Sequence, residues 1–94
     1  MHVLRIEHRV PDFDQWKQVF DSDPVDRKGS GVRGYRVMRA VDDRDSVLID
    51  LTFDSATEAE AMHQKLQDLW AGPAKALAIE PRARIVEAVE TQDL

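Results

Sequence analysis

The chain has 94 residues, 43% apolar and 33% charged, with a net charge of -5 and no cysteine. These values fit one domain with a single hydrophobic core, and they exclude a disordered chain, a basic nucleic-acid binder and any thiolate or disulfide chemistry. No apolar run approaches the ~20 residues needed to span a bilayer, and the start alternates charged and apolar residues without a secretory segment. A cytoplasmic protein with no nucleic-acid or membrane partner is therefore expected.

Residues 2–10 alternate, with Leu4, Ile6, His8 and Val10 on one side and Val3, Arg5, Glu7 and Arg9 on the other. Period two predicts a strand with one apolar face. Pro11 ends it, since proline removes a ladder donor and drives Val10 into an extended conformation. Asp12 with Gln15 reads as a capping box, opening a helix whose Phe13, Trp16, Val19 and Phe20 share one arc and which stops near Ser22 to Pro24. The next segment, Asp23 to Arg33, is a loop of roughly ten residues, a length that in a small domain often marks a functional or mobile stretch.

Two strands, Gly34 to Val41 and Ser46 to Phe53, flank the acidic turn Asp42-Asp43-Arg44-Asp45 and form a hairpin. Ser55-Ala56-Thr57-Glu58 is a second capping box. The helix behind it runs to about Trp70, with a stripe of Ala59, Met62, Leu66 and Leu69 flanked by His63 and Trp70. Gly72-Pro73 breaks that helix, Ala74 to Ile79 form a short turn, and Pro81 precedes a last strand at about Arg82 to Glu90. The order specifies an α+β split βαβ sandwich, a four-stranded antiparallel sheet with both helices on one face.

The opposite sheet face carries Val3, Arg5, Glu7, Arg9, Arg36, Met38, Leu48, Asp50 and Thr52, neither a clean core nor a clean solvated surface. An antiparallel sheet can leave such a face wet in a monomer. Alternatively, two sheets pack face to face as a homodimer, with arginines and carboxylates paired inside, which gives a small domain more buried surface. The homodimer is the expected partner arrangement.

The segment Gly31-Val32-Arg33-Gly34-Tyr35-Arg36-Val37, a polar turn, Val47 to Phe53, and then Ser55-Ala56-Thr57-Glu58-Ala59-Glu60-Ala61-Met62-His63 resembles the dimeric α/β-barrel superfamily. The chain is most similar to its antibiotic-biosynthesis monooxygenase group, in which a glycine leads the second strand and an alanine-rich helix carries a histidine near the position of His63. The resemblance covers about residues 2–90 and marks fold better than activity. It implies ferredoxin-like protomers whose sheets join into a barrel, with a ligand cavity between sheet and helices in each. The superfamily includes cofactor-independent oxygenases, haem-handling enzymes and small-molecule isomerases. The haem-degrading branch combines an asparagine, a tryptophan and a histidine, and this chain has no asparagine. No cofactor is expected.

His8 and His63 are the candidate catalytic residues, because histidine alone titrates unperturbed near neutral pH. His8 lies on the apolar face of the first strand, and His63 flanks the stripe of the second helix, so both point toward one half-closed space as base and donor. The competing reading, favoured because no carboxylate can be assigned to orient either ring, is that each is a core-edge histidine with one hydrogen-bond partner. His2 stands about 20 Å from His8 along the strand, and a pair of imidazoles is too few ligands for a metal, so no metal site is expected. Trp16, Tyr35 and Trp70 are candidate walls for a flat apolar or aromatic ligand, and Arg39, on the face of Tyr35 and Val37, is a candidate partner for an anionic group. Three functions fit these residues: a monooxygenase-like enzyme acting without a cofactor on a small aromatic or polyketide-type compound, a non-catalytic homodimer binding a small apolar molecule, or a cyclase or isomerase with a histidine proton shuttle.

Overall fold

Alternation over the first eight-residue strand places β1 (His2–Arg9) inside the sheet, where both of its edges are paired. In the computed structural model, which describes residues 1–94, β1 pairs antiparallel with β3 (Ser46–Phe53) and with β4 (Ile79–Glu87), while β3 also pairs with β2 (Gly34–Arg39). The strand order is β2-β3-β1-β4. Helices α1 (Phe13–Asp21) and α2 (Ala56–Ala71) follow β1 and β3, which makes the ferredoxin-like βαββαβ arrangement.

Both helices begin where the sequence signals them. The Asp12 side chain accepts the Gln15 N–H at 3.1 Å. Ser55 Oγ accepts the Glu58 N–H at 3.2 Å and donates to Glu58 Oε1 at 3.1 Å, satisfying a donor that a bare helix end would leave open.

Element ends differ from expectation at three places. β2 stops at Arg39 rather than Val41, because the Ala40 N–H donates to Ser46 O as the hairpin closes and Val41 is left exposed. β4 begins at Ile79, ahead of Pro81, rather than at Arg82. The β1–β4 register pairs Glu7 with Arg82 and Arg9 with Ile79, so Glu80 and Pro81 bulge opposite His8. A bulge on an edge strand needs no ladder donor from proline, and Glu80 supplies the turn with a positive φ of 51°. β4 ends at Glu87, where a last bond from the Ala88 N–H to Met1 O exhausts the β1 partner.

The helix-covered face is the core: Leu4, Ile6, Val47, Ile49, Leu51 and Phe53 from the sheet meet Trp16, Ala59 and Met62 from the helices, all buried. Each large side chain removed from water there contributes about 1.5–3 kcal/mol. On the opposite face one cross-strand row carries Arg36, Asp50, Arg5 and Arg84. Asp50, only 7% exposed, accepts from Arg5 Nε at 3.0 Å and Nη2 at 3.2 Å, and Arg36 Nη2 stands 3.5 Å away. Val3, Met38 and Leu48 are half-buried around this charged row.

Candidate functional site

The helices do not close completely on the sheet. Between them lies a cavity of about 80 Å³, floored by Ile6, Ile49 and Leu51, walled by Trp16, Phe20, Leu66, Leu69 and Trp70, and bounded at its mouth by Pro24, Val25 and Arg27. Its lining is apolar apart from His8 and Arg27. The 23–33 segment thus reaches the mouth, and hydrogen bonds pin it. Val32 N–H donates to Arg27 O at 2.9 Å, Ser30 Oγ to Val25 O at 2.9 Å, and Lys65 Nζ to Ser30 Oγ at 2.6 Å.

His8 is the one titratable imidazole in this lining. It is 4% exposed and sits opposite the β4 bulge. Nδ1 lies 3.2 Å from Arg9 O, and because a carbonyl only accepts, Nδ1 carries the proton and Nε2 the lone pair. Nε2 makes no hydrogen bond within the protein. Burial pushes the His8 pKa down, and the bond to the Arg9 carbonyl offsets only part of that effect. The result is a neutral ring with a free acceptor nitrogen, which is the protonation state a general base needs. The ring also borders a polar surface hollow lined by Glu7, Arg9, Ser46, Glu80 and Arg82.

Trp16 and Trp70 stand edge-on to the His8 ring at 5.6 and 6.5 Å, so these three expected residues do meet in one space. Tyr35, Arg39 and His63 do not line it. Tyr35 is 51% exposed on the edge strand and packs edge-on against Phe20 at 5.2 Å. Arg39 covers the Phe13 ring at 4.0 Å and donates through Nε to Arg44 O at 2.8 Å, which commits it to the hairpin. His63 shares a helix face with Trp70 but lies two turns earlier, about 10 Å along the axis at 1.5 Å per residue. Helical phase gives a residue its side and leaves its height along the strand open. No three histidine, aspartate or glutamate side chains gather as a metal-holding group, and no helix is long and apolar enough to cross a membrane.

Sequence reasoning missed Arg27. Its side chain is 13% exposed, with the guanidinium carbon 4.0 Å over the Phe20 ring and 4.8 Å over the Tyr35 ring. Nη1 donates to Phe20 O at 2.7 Å, and Asp23 Oδ1 holds the Arg27 backbone N–H at 2.9 Å. Loop residues carry no periodicity, so its position among turn residues offered only a weak signal.

The ferredoxin-like fold of this chain is also that of solved structures described as antibiotic biosynthesis monooxygenases and as dimeric ferredoxin-like proteins. One solved neighbour is SnoaB, a cofactor-independent oxygenase from Streptomyces nogalater, with a TM-score of 0.76 and 15% identity over 96% of this chain and 94% of that one. MhuD, in a structure with two manganese protoporphyrin IX bound per active site, superposes with a TM-score of 0.74 and 15% identity over 99% of both chains. A dimeric ferredoxin-like protein from an uncultured marine organism gives a TM-score of 0.67 and 13% identity over 97% of both. No family model and no curated protein matches the chain.

Proposed function

We propose that this protein is a cofactor-independent, monooxygenase-like enzyme acting on a small phenolic aromatic of one or two rings. The carrying observation is His8: a buried ring with its pKa pushed down, its Nδ1 committed to the Arg9 carbonyl and its Nε2 without a protein partner, lining an apolar cavity walled by two indoles. His8 removes the phenolic proton, and the electron-rich anion then reduces dioxygen directly. With 1-naphthol the balance is C10H8O + O2 → C10H6O2 + H2O: the ring carbon para to the oxygen loses hydrogen and gains one oxygen atom, and the second oxygen leaves as water. The likeness to SnoaB, a cofactor-independent oxygenase, supports this class of chemistry.

The cavity of about 80 Å³ is smaller than the ~150 Å³ void that takes up benzene, so an aromatic substrate needs the half-open space to widen, and the loop residues Pro24, Val25 and Arg27 are the proposed place for it. A cavity of about 80 Å³ is far too small for a porphyrin. The second sheet face is proposed to join a second copy of the chain, enclosing the Asp50 row and covering Val3, Met38 and Leu48.

Oxygen uptake and naphthoquinone absorbance with 1-naphthol test the activity. Wild-type protein is expected to turn the probe over, and His8→Gln, which keeps the volume and loses the base, is expected to slow it by about 10²-fold or more. Equal rates in the two proteins refute the role of His8. The nearly unbroken apolar lining favours one alternative, a non-catalytic carrier, and binding of the probe with no oxygen uptake would select it.

A further inference from the structure

Arg27 belongs to two spaces at once. It closes the apolar cavity, and it also lines an adjoining surface groove of about 410 Å³ with Asp23, Lys28, Gly31, Arg33 and Tyr35. We propose that the groove is the anion-binding half of the ligand site, and that the natural ligand is an aromatic carboxylate whose ring enters the cavity while its carboxylate pairs with Arg27 and Lys28. This rests on the cavity being a small-molecule site, as argued above.

Charge supports the assignment. The chain as a whole carries -5, yet this groove is lined by three cations and one carboxylate. Arg33 is taken by Asp54 at 2.6 Å, whereas Arg27 has only a longer ion pair with Asp23 at 3.5 Å, which leaves Lys28 and the Nη2 side of Arg27 for a ligand. Arg27 is also the better prepared of the two. Its plane is fixed by the Phe20 and Tyr35 rings, Nη1 is anchored on Phe20 O, and Nη2 has no protein partner. Its free Nη2 can donate to a carboxylate first, and a carboxylate that then takes Nη1 as well completes a two-pronged pairing. Asp23 opposes the ligand only weakly, since its Oδ1 is engaged by the Arg27 backbone N–H and stands 3.5 Å from Nε.

The same side chain is the partition between groove and cavity. A carboxylate that draws Nη1 off Phe20 O would shift the guanidinium toward the groove and open the cavity behind it. Recognition of the anion and admission of the ring are then one movement, and a neutral aromatic lacks the means to drive it.

The test compares 2-naphthoate with its neutral counterpart 2-naphthalenemethanol, by calorimetry and by quenching of tryptophan fluorescence from the cavity wall. Wild-type protein is expected to bind the carboxylate at least about tenfold more tightly, one per chain, with quenching by both probes. Arg27→Gln should bring the two affinities within about twofold. Lys28→Gln, at an exposed side chain that supports no packing, should lower the preference by about two- to threefold, as should added salt. Equal binding of both probes to wild type overturns the anion site and leaves the cavity as a ligand site. A preference that survives Arg27→Gln, or naphthoate binding without quenching, also overturns it. Failure of both probes to bind removes the cavity reading together with this one.

Discussion

Replacing Trp16 with alanine probes whether α1 is held to the sheet by a single anchor. Trp16 is the one buried residue of α1, 7% exposed, and its ring meets Phe13 at 5.7 Å, Phe20 at 5.2 Å and His8 at 5.6 Å. A buried tryptophan hides roughly 200 Å² of surface, which at ~25 cal/mol per Å² bounds the transfer loss near 5 kcal/mol. The new void would adjoin the existing cavity above the rigid floor of Ile6 and Ile49, so little collapse can offset it. Trp16→Ala should therefore destabilise the protein by about 3–5 kcal/mol, a large share of a small domain's stability. Urea unfolding followed by circular dichroism, at matched protein concentration, measures this. A loss under ~1 kcal/mol would show that α1 is held elsewhere and would refute the packing argument.

His8 should impose a pH dependence. Its folded pKa lies below the ordinary histidine value, so the unfolded chain binds the proton more readily, and stability falls as pH drops below about 6.5 toward the folded pKa. Unfolding free energies should drop on acidification by up to about 1.4 kcal/mol per pH unit more in wild type than in His8→Gln, and parallel curves would exclude burial of the neutral ring. Sedimentation at micromolar concentration should give about twice the 10.7 kDa chain mass, and a 10.7 kDa species that persists at high concentration would rule out face-to-face pairing. Asp50→Ala strips the counter-ion from Arg5 and Arg36, so it should shift that dimer toward single chains, whereas an unchanged assembly would place the Asp50 row outside the interface.

The strands and helices were legible because each had two independent signals. β1 has alternation plus Pro11, α2 has a capping box plus an apolar stripe, and β3 alternates Val47, Ile49, Leu51 and Phe53 against Leu48, Asp50 and Thr52. Boundaries failed where tertiary pairing decides them: β4 starts before Pro81 only because a bulge opposite His8 absorbs the missing donor, and no local pattern announces a bulge. The cavity was half legible. Parity brought out His8, and helical phase brought out Trp16 and Trp70. Phase could not separate His63 from Trp70, two turns apart on one face. Arg39 and Tyr35 share the helix-facing parity, but hairpin and edge contacts draw them away from the cavity. Arg27 depends on how a loop folds over Phe20, which residue spacing does not encode.

Both of the chain's tryptophans touch the same imidazole, at 5.6 and 6.5 Å. Tryptophan emission from this protein therefore arises wholly beside His8. A charged imidazolium next to an indole drains its excited state, so emission should dim as His8 takes up a proton. The molecule thus carries a built-in optical gauge: its brightness reads the ionisation of one ring in the cavity, with no label attached.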